Sequence, residues 1–106
     1  MRFQFATNLY TKAMNPKQVK GYQKKIQQNK PDITLFLVTM PLEQGGFLEV
    51  YWYNSLLQPY YKTLDKELTV VGMARSKGDA HKLVKQLVED MYQEQQDFDL
   101  NRYLLR

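Results

Sequence analysis

Cysteine is absent from this chain of 106 residues, histidine occurs once, at His81, and serine only at Ser55 and Ser76. The first absence excludes a disulfide framework, a thiol nucleophile and a cysteine-ligated metal, and it fits a reducing compartment. A lone histidine leaves no pair at metal-ligand spacing, so neither a metal nor a cofactor is expected. A serine triad would have to draw Ser76, Asp79 and His81 from one helical turn, where their side chains fan out around the axis. Neither a G-x-G-x-x-G stretch nor a P-loop occurs. No catalytic residue is assigned, and the chain is not expected to be an enzyme. Long apolar runs are also missing. The longest candidate, Ile33 to Leu42, is interrupted by Thr34, Thr39 and Pro41 and is too short for a bilayer. Met1 to Tyr10 has no apolar h-region. The expected location is cytoplasmic, with no membrane contact.

What remains is a composition of ordinary globular type, 43% hydrophobic and 25% charged, enough for one domain over residues 1–106 with its own core. The net charge of +4 conceals a polarity. Residues 1–30 hold Arg2, Lys12, Lys17, Lys20, Lys24, Lys25 and Lys30 and no acid. The acids gather later, with Glu89, Asp90, Glu94, Asp97 and Asp99 near the C-terminus. Such asymmetry bears on partners and orientation.

Arg2 to Phe5 alternates polar and apolar residues, the pattern of a short strand. Asn15-Pro16 is a helix start, with Asn as cap and Pro at the first position, and Lys30-Pro31 stops that helix at about Asn29. Its apolar residues Val19, Tyr22 and Ile26 form a narrow stripe, and Lys17, Lys20 and Lys24 lie opposite. "DITLFLVTM", Asp32 to Met40, is β-branched and apolar almost throughout, as in a central strand buried on both faces. "PLEQGG" is a loop, and "FLEVYWY" a second strand paired with the first as a hairpin. Asn54 to Lys66 is a folded connection placing Leu56, Leu57 and Leu64 over the sheet. Glu67 to Ala74 is a third strand, and Gly72 inside it signals a bulge or a close backbone approach. Ala80, Leu83, Val84, Leu87, Val88, Met91 and Tyr92 then trace a wide apolar face on a helix from Lys77 to about Gln95, capped by Ser76. The last ten residues are too apolar for a frayed tail and should dock. The order (β)αβββα predicts an α+β fold: a three- to four-stranded, mainly antiparallel sheet with two helices packed on one face.

Two residue sets stand out as candidate sites. Phe47, Tyr51 and Tyr53 share the strand face away from Trp52. If helices cover only the other face, these three, with Phe98 and Tyr103, form an apolar surface for a protein partner, most simply a homodimer. The second set is basic. Arg75, Lys77, His81 and Lys82 stand at the positive end of their helix, where the dipole disfavours cations, so they are the candidate anion or phosphate site. With Lys17, Lys20 and Lys24 they could follow a nucleic-acid backbone.

The stretch "GMARSKGDAHKLVKQL" resembles the end of a double-stranded-RNA-binding domain, where a third strand leads into the last helix. Gly72, Ala74, Ser76, Lys77 and Ala80 stand in the matching positions, whereas Gly78 replaces a second lysine. The resemblance is confined to this second helix and its approach. It implies phosphate contacts from Lys77 and Lys82. The leading expectation is a non-catalytic interaction module that self-associates through its aromatic sheet face; the alternative is binding of duplex RNA or DNA.

Overall fold

The computed structural model describes residues 1–42 and 46–104; the middle of the "PLEQGG" loop and the last two residues lie outside them. The chain runs through β1 (Arg2–Thr11), α1 (Pro16–Gln27), β2 (Phe36–Thr39) and β3 (Glu49–Trp52). A turn of 3-10 helix follows at Tyr53–Leu57, then α2 (Pro59–Lys62), β4 (Glu67–Ala74), α3 (Lys77–Gln95) and α4 (Leu100–Leu104). The fold is α+β, as expected. Its four strands lie in the order β1-β4-β2-β3. The β2–β3 and β2–β4 pairs are antiparallel and the β1–β4 pair is parallel, so the sheet is mixed.

The helices do not share a face, contrary to the expectation from connectivity. Ile26 of α1 packs with Phe3, Leu35, Leu37, Tyr53, Leu56, Leu68, Val70 and Met73 on one side of the sheet. Leu83, Leu87 and Met91 of α3, with Leu100, Tyr103 and Leu104 of α4, pack with Ala6, Val38, Val71 and Ala74 on the other. The reason lies in the two inner strands, which are apolar on both faces. A strand buried on both sides needs cover on both sides, and one helical layer would have left one apolar face of β4 in water.

In β4 the alternation of side chains is broken by a bulge. Val38 pairs with Gly72 but Thr39 pairs with Val70, so one step along β2 spans two along β4 and Val71 is the extra residue. The bulge resets the parity: Leu68 and Val70 face α1, Val71 faces α3, and Met73 and Ala74 follow in the shifted phase. Gly72 sits against it. A Cβ at this position would stand 3.3 Å from the Tyr10 carbonyl oxygen and 3.3 Å from Val38 Cβ. The glycine in the strand thus marks both a bulge and a close approach.

The helix ends follow their local chemistry. Asn15 caps α1 through a reciprocal pair, its Oδ1 accepting from the Gln18 N–H at 2.8 Å and its own N–H donating to Gln18 Oε1 at 3.0 Å. Asn29, at φ 55°, closes α1 with the Lys30 N–H on the Lys25 carbonyl and the Asn29 N–H on that of Ile26, which is a Schellman motif. The C-terminal segment docks on the domain through Leu100, Tyr103 and Leu104. Among the described residues no helix is long and apolar enough to cross a membrane.

Replacing Gly72 with Ala is expected to cost about 1–3 kcal/mol, because one of the crowded atoms belongs to the paired backbone and cannot swing away. A denaturant melt reads this as a lower midpoint; an unchanged midpoint would mean that the β1–β4 approach is not tight.

Candidate functional site

Parallel pairing of β1 and β4, with Tyr10 opposite Gly72 and Thr11 opposite Met73, delivers both strands to the same end of the sheet. Each then leads within a few residues into a helix, α1 on one face and α3 on the other. The two helix starts are joined directly: an Arg75 guanidinium N–H donates to the Ala13 carbonyl at 3.0 Å. Ser76, the next residue, caps α3 by accepting from the Asp79 N–H at 3.1 Å, and Asn15, two residues past Ala13, caps α1. Ala13 itself adopts φ 56°, a left-handed conformation that costs a residue with a Cβ roughly 1–2 kcal/mol.

Lys12, Lys17, Arg75 and Lys77 are exposed around this contact. Among the described residues none of them has a carboxylate at ion-pair distance; the pairs present are Arg2–Asp65, Lys25–Asp32 and Arg102–Asp97. Each helix start adds about half a positive charge, and the acid in the first turn of α3 is Asp79. The result is a positive end on the sheet, placed by the β1–β4 backbone pairing and held by the Arg75 bond to Ala13. The Lys25–Asp32 pair belongs elsewhere, at the far end of α1. Burial acts to raise the Asp32 carboxyl, but hydrogen bonds from Lys25 and Thr34 outweigh it and hold the group below its usual range.

The other predicted basic residues do not join this cluster. Lys20 and Lys24 are exposed on the outer side of α1, and His81 and Lys82 on the outer side of α3. Because the two helices cover opposite faces, these stripes point away from each other. Only the beginnings of the basic sets, Lys17 and Arg75 with Lys77, come together. Lys12 carries no signal in the sequence alone, since its place beside the helix starts depends on the β1–β4 pairing.

The expected aromatic interface does not form one exposed surface. Tyr53 and Tyr103 are buried, at 0% and 2% exposure, and cannot form a contact surface. The strand face of Tyr51 and Tyr53 is closed by α1, the 3-10 turn and α2, with Tyr51 half-buried against Tyr61. Burial also lifts the Tyr53 phenol, to about 12. Phe47 and Phe98 are exposed, Phe98 stacking on Tyr92 at 5.3 Å between ring centroids. Trp52, expected in the core, sits exposed at the sheet edge with its Nε1 donating to the Ile33 carbonyl.

A polar cluster on the α3 side was not anticipated. The Tyr10 hydroxyl donates to Asp90 Oδ2 at 2.7 Å and lies 2.8 Å from the Tyr103 hydroxyl, which must then be the donor to Tyr10. Gln86 donates to Asp90 Oδ1. Burial, followed by the bonds to Tyr103 and Asp90, pushes the Tyr10 phenol far up. A phenol held so firmly neutral is a structural tie between β1, α3 and α4. No sequence signal could reveal it, since its members are 80 and 93 residues from Tyr10. Among the described residues no group of metal-ligating side chains converges. No protein-family model, curated protein or solved structure matches this chain.

Ala13→Gly should relieve the left-handed strain and raise the unfolding free energy by about 0.5–1 kcal/mol after the entropy cost of glycine. That corresponds to a Tm roughly 2–8 °C higher. A fall in Tm in a thermal melt would contradict the strain assigned to Ala13.

Proposed function

We propose that this chain is a non-catalytic binding module whose ligand is a nucleic-acid backbone, held at the end of the sheet where α1 and α3 begin. One observation carries the reading: Arg75 bonds the Ala13 carbonyl and so unites two helix starts, from opposite faces, into one positive surface. Phosphate oxygens suit such a place, since free N–H groups at helix starts and several cations converge on it. In open sheets with parallel strands, ligands bind beyond the strands' carboxyl ends where the following helices diverge to opposite faces. β1 and β4 form such a point. The resemblance of Gly72 to Leu87 to the end of a double-stranded-RNA-binding domain favours duplex RNA and a phosphate role for Lys77. Self-association through the aromatic sheet face has lost its support, because that face is covered by α1, the 3-10 turn and α2.

The affinity for a duplex should fall steeply with salt. If Lys12, Lys17, Arg75 and Lys77 each neutralise a phosphate, log K against log salt has a slope of roughly −3 to −4. Joint substitution of Lys12, Lys17 and Lys77 by Ala should make it shallower by roughly 2–3, while Lys85→Ala on the exposed side of α3 leaves it nearly unchanged. Filter binding with duplex RNA and DNA measures this. No retention of either at ~50 mM salt, or a triple variant that binds like the parent, would contradict the reading.

A further inference from the structure

We propose a second site at the other end of β4: the cavity between the start of β3 and α2 binds a quaternary ammonium group, carried on a zwitterion of the choline phosphate type. The cavity has a volume of about 430 Å³, within the ~300–1,000 Å³ range of small-molecule pockets. Its walls are the rings of Tyr51, Tyr60 and Tyr61, and both Glu49 and Lys66 line it. Tyr61 stands nearly perpendicular to each of its neighbours, at 87° and 5.0 Å to Tyr60 and 72° and 6.0 Å to Tyr51. The corner between two perpendicular rings is bounded by a face of each, and ring faces carry the negative end of the quadrupole. That is the geometry that attracts an organic cation.

Glu49 supplies the formal charge. Its Oε2 accepts from the Tyr51 hydroxyl at 2.8 Å and its Oε1 from the Leu42 N–H at 3.0 Å. Both donors are neutral, and among the described residues no cation stands at ion-pair distance. The carboxylate is therefore oriented but not ion-paired, on a cavity with three aromatic rings. A primary ammonium brings three donors that each want an acceptor, and each Glu49 oxygen already has one of its two acceptor positions taken. A trimethylammonium group brings none and offers only C–H surface to the rings. Lys66 places a positive charge on the same cavity, with its backbone carbonyl anchored by the Arg2 N–H at 2.9 Å. Opposite charges lining one cavity suit a ligand that is itself a zwitterion, with its anion toward Lys66. Lys66 and Arg75 flank opposite ends of β4, so this site and the nucleic-acid reading stand or fall separately.

The test is a ¹H–¹⁵N NMR titration of the full chain with choline, phosphocholine and 3,3-dimethylbutanol, the uncharged carbon analogue of choline. Both cations should shift amides in 49–51 and 60–66, phosphocholine at the lower concentration, and the neutral analogue should bind roughly two- to thirtyfold more weakly than choline. Tyr60 is 70% exposed, so Tyr60→Ala leaves the fold intact and should weaken choline binding by a similar factor. Lys66→Met should remove the advantage of phosphocholine without weakening choline binding. Co-sedimentation with phosphatidylcholine vesicles assigns the group to a lipid headgroup; binding of phosphocholine without vesicle binding assigns it to a soluble zwitterion. The proposal is overturned by no shifts with either cation, by a neutral analogue that binds as tightly as choline, or by a Tyr60→Ala variant that binds like the parent.

Discussion

The parallel pairing of β1 with β4 is the constraint on which the other features of this molecule depend. It forces both strands to finish at one end of the sheet, and the chain has only a few residues after each before a capped helix begins. The helix starts are thereby neighbours even though α1 and α3 pack on opposite faces. Without that pairing, the basic residues of the first thirty and those around Arg75 would have no common surface. The Arg75 bond to Ala13 adds little stability at an exposed position. Its consequence is geometric: it holds the β1–α1 turn against the β4–α3 turn.

The pairing itself rests on close packing around Gly72 and the bulge at Val71. Alternation lets one strand serve both cores and the bulge shifts its phase, so that Val70 and Met73 face α1 while Val71 and Ala74 face α3. The glycine lets Tyr10 and Val38 approach from the two neighbouring strands. On the far side of β1, Tyr10 then reaches Asp90 and Tyr103 and locks α3 and α4 down. Residue 10 thus takes part in the sheet through its backbone and in the helical layer through its side chain. Asp90 and Glu94 lie beside the end of β1, lining a pocket with Tyr10, Thr11 and Tyr103.

Local signals were legible in the sequence wherever the cause was local. Asn15-Pro16 and Ser76 predicted both helix starts, the apolar period predicted α3 from Lys77 to about Gln95, and Gly72 signalled a bulge or a close backbone approach. Features set by contacts distant in sequence were not. The alternation in "FLEVYWY" placed Trp52 inside and Tyr53 on an open face, but the strand ends at Trp52 and the chain turns into 3-10 helix, so Tyr53 is buried and Trp52 is at the edge. The two-faced burial of Asp32 to Met40 already argued for cover on both sides of the sheet, and the expectation of one helical layer conflicted with it. Of the candidate site, Arg75, Lys77 and Lys17 were visible as charges, whereas Lys12 and the union of the two helix starts required the β1–β4 register. The Tyr51, Tyr60 and Tyr61 corner was visible as a wealth of tyrosine without its shape.

The central claim is that two helix starts from opposite faces act as one anion-binding surface. Amide shift mapping with a short RNA duplex at low salt tests it most directly. Residues 12–17 and 75–78 should then move together along a single binding curve. Shifts confined to one of these segments, or spread along Lys20 and Lys24 on the outer side of α1, would contradict it.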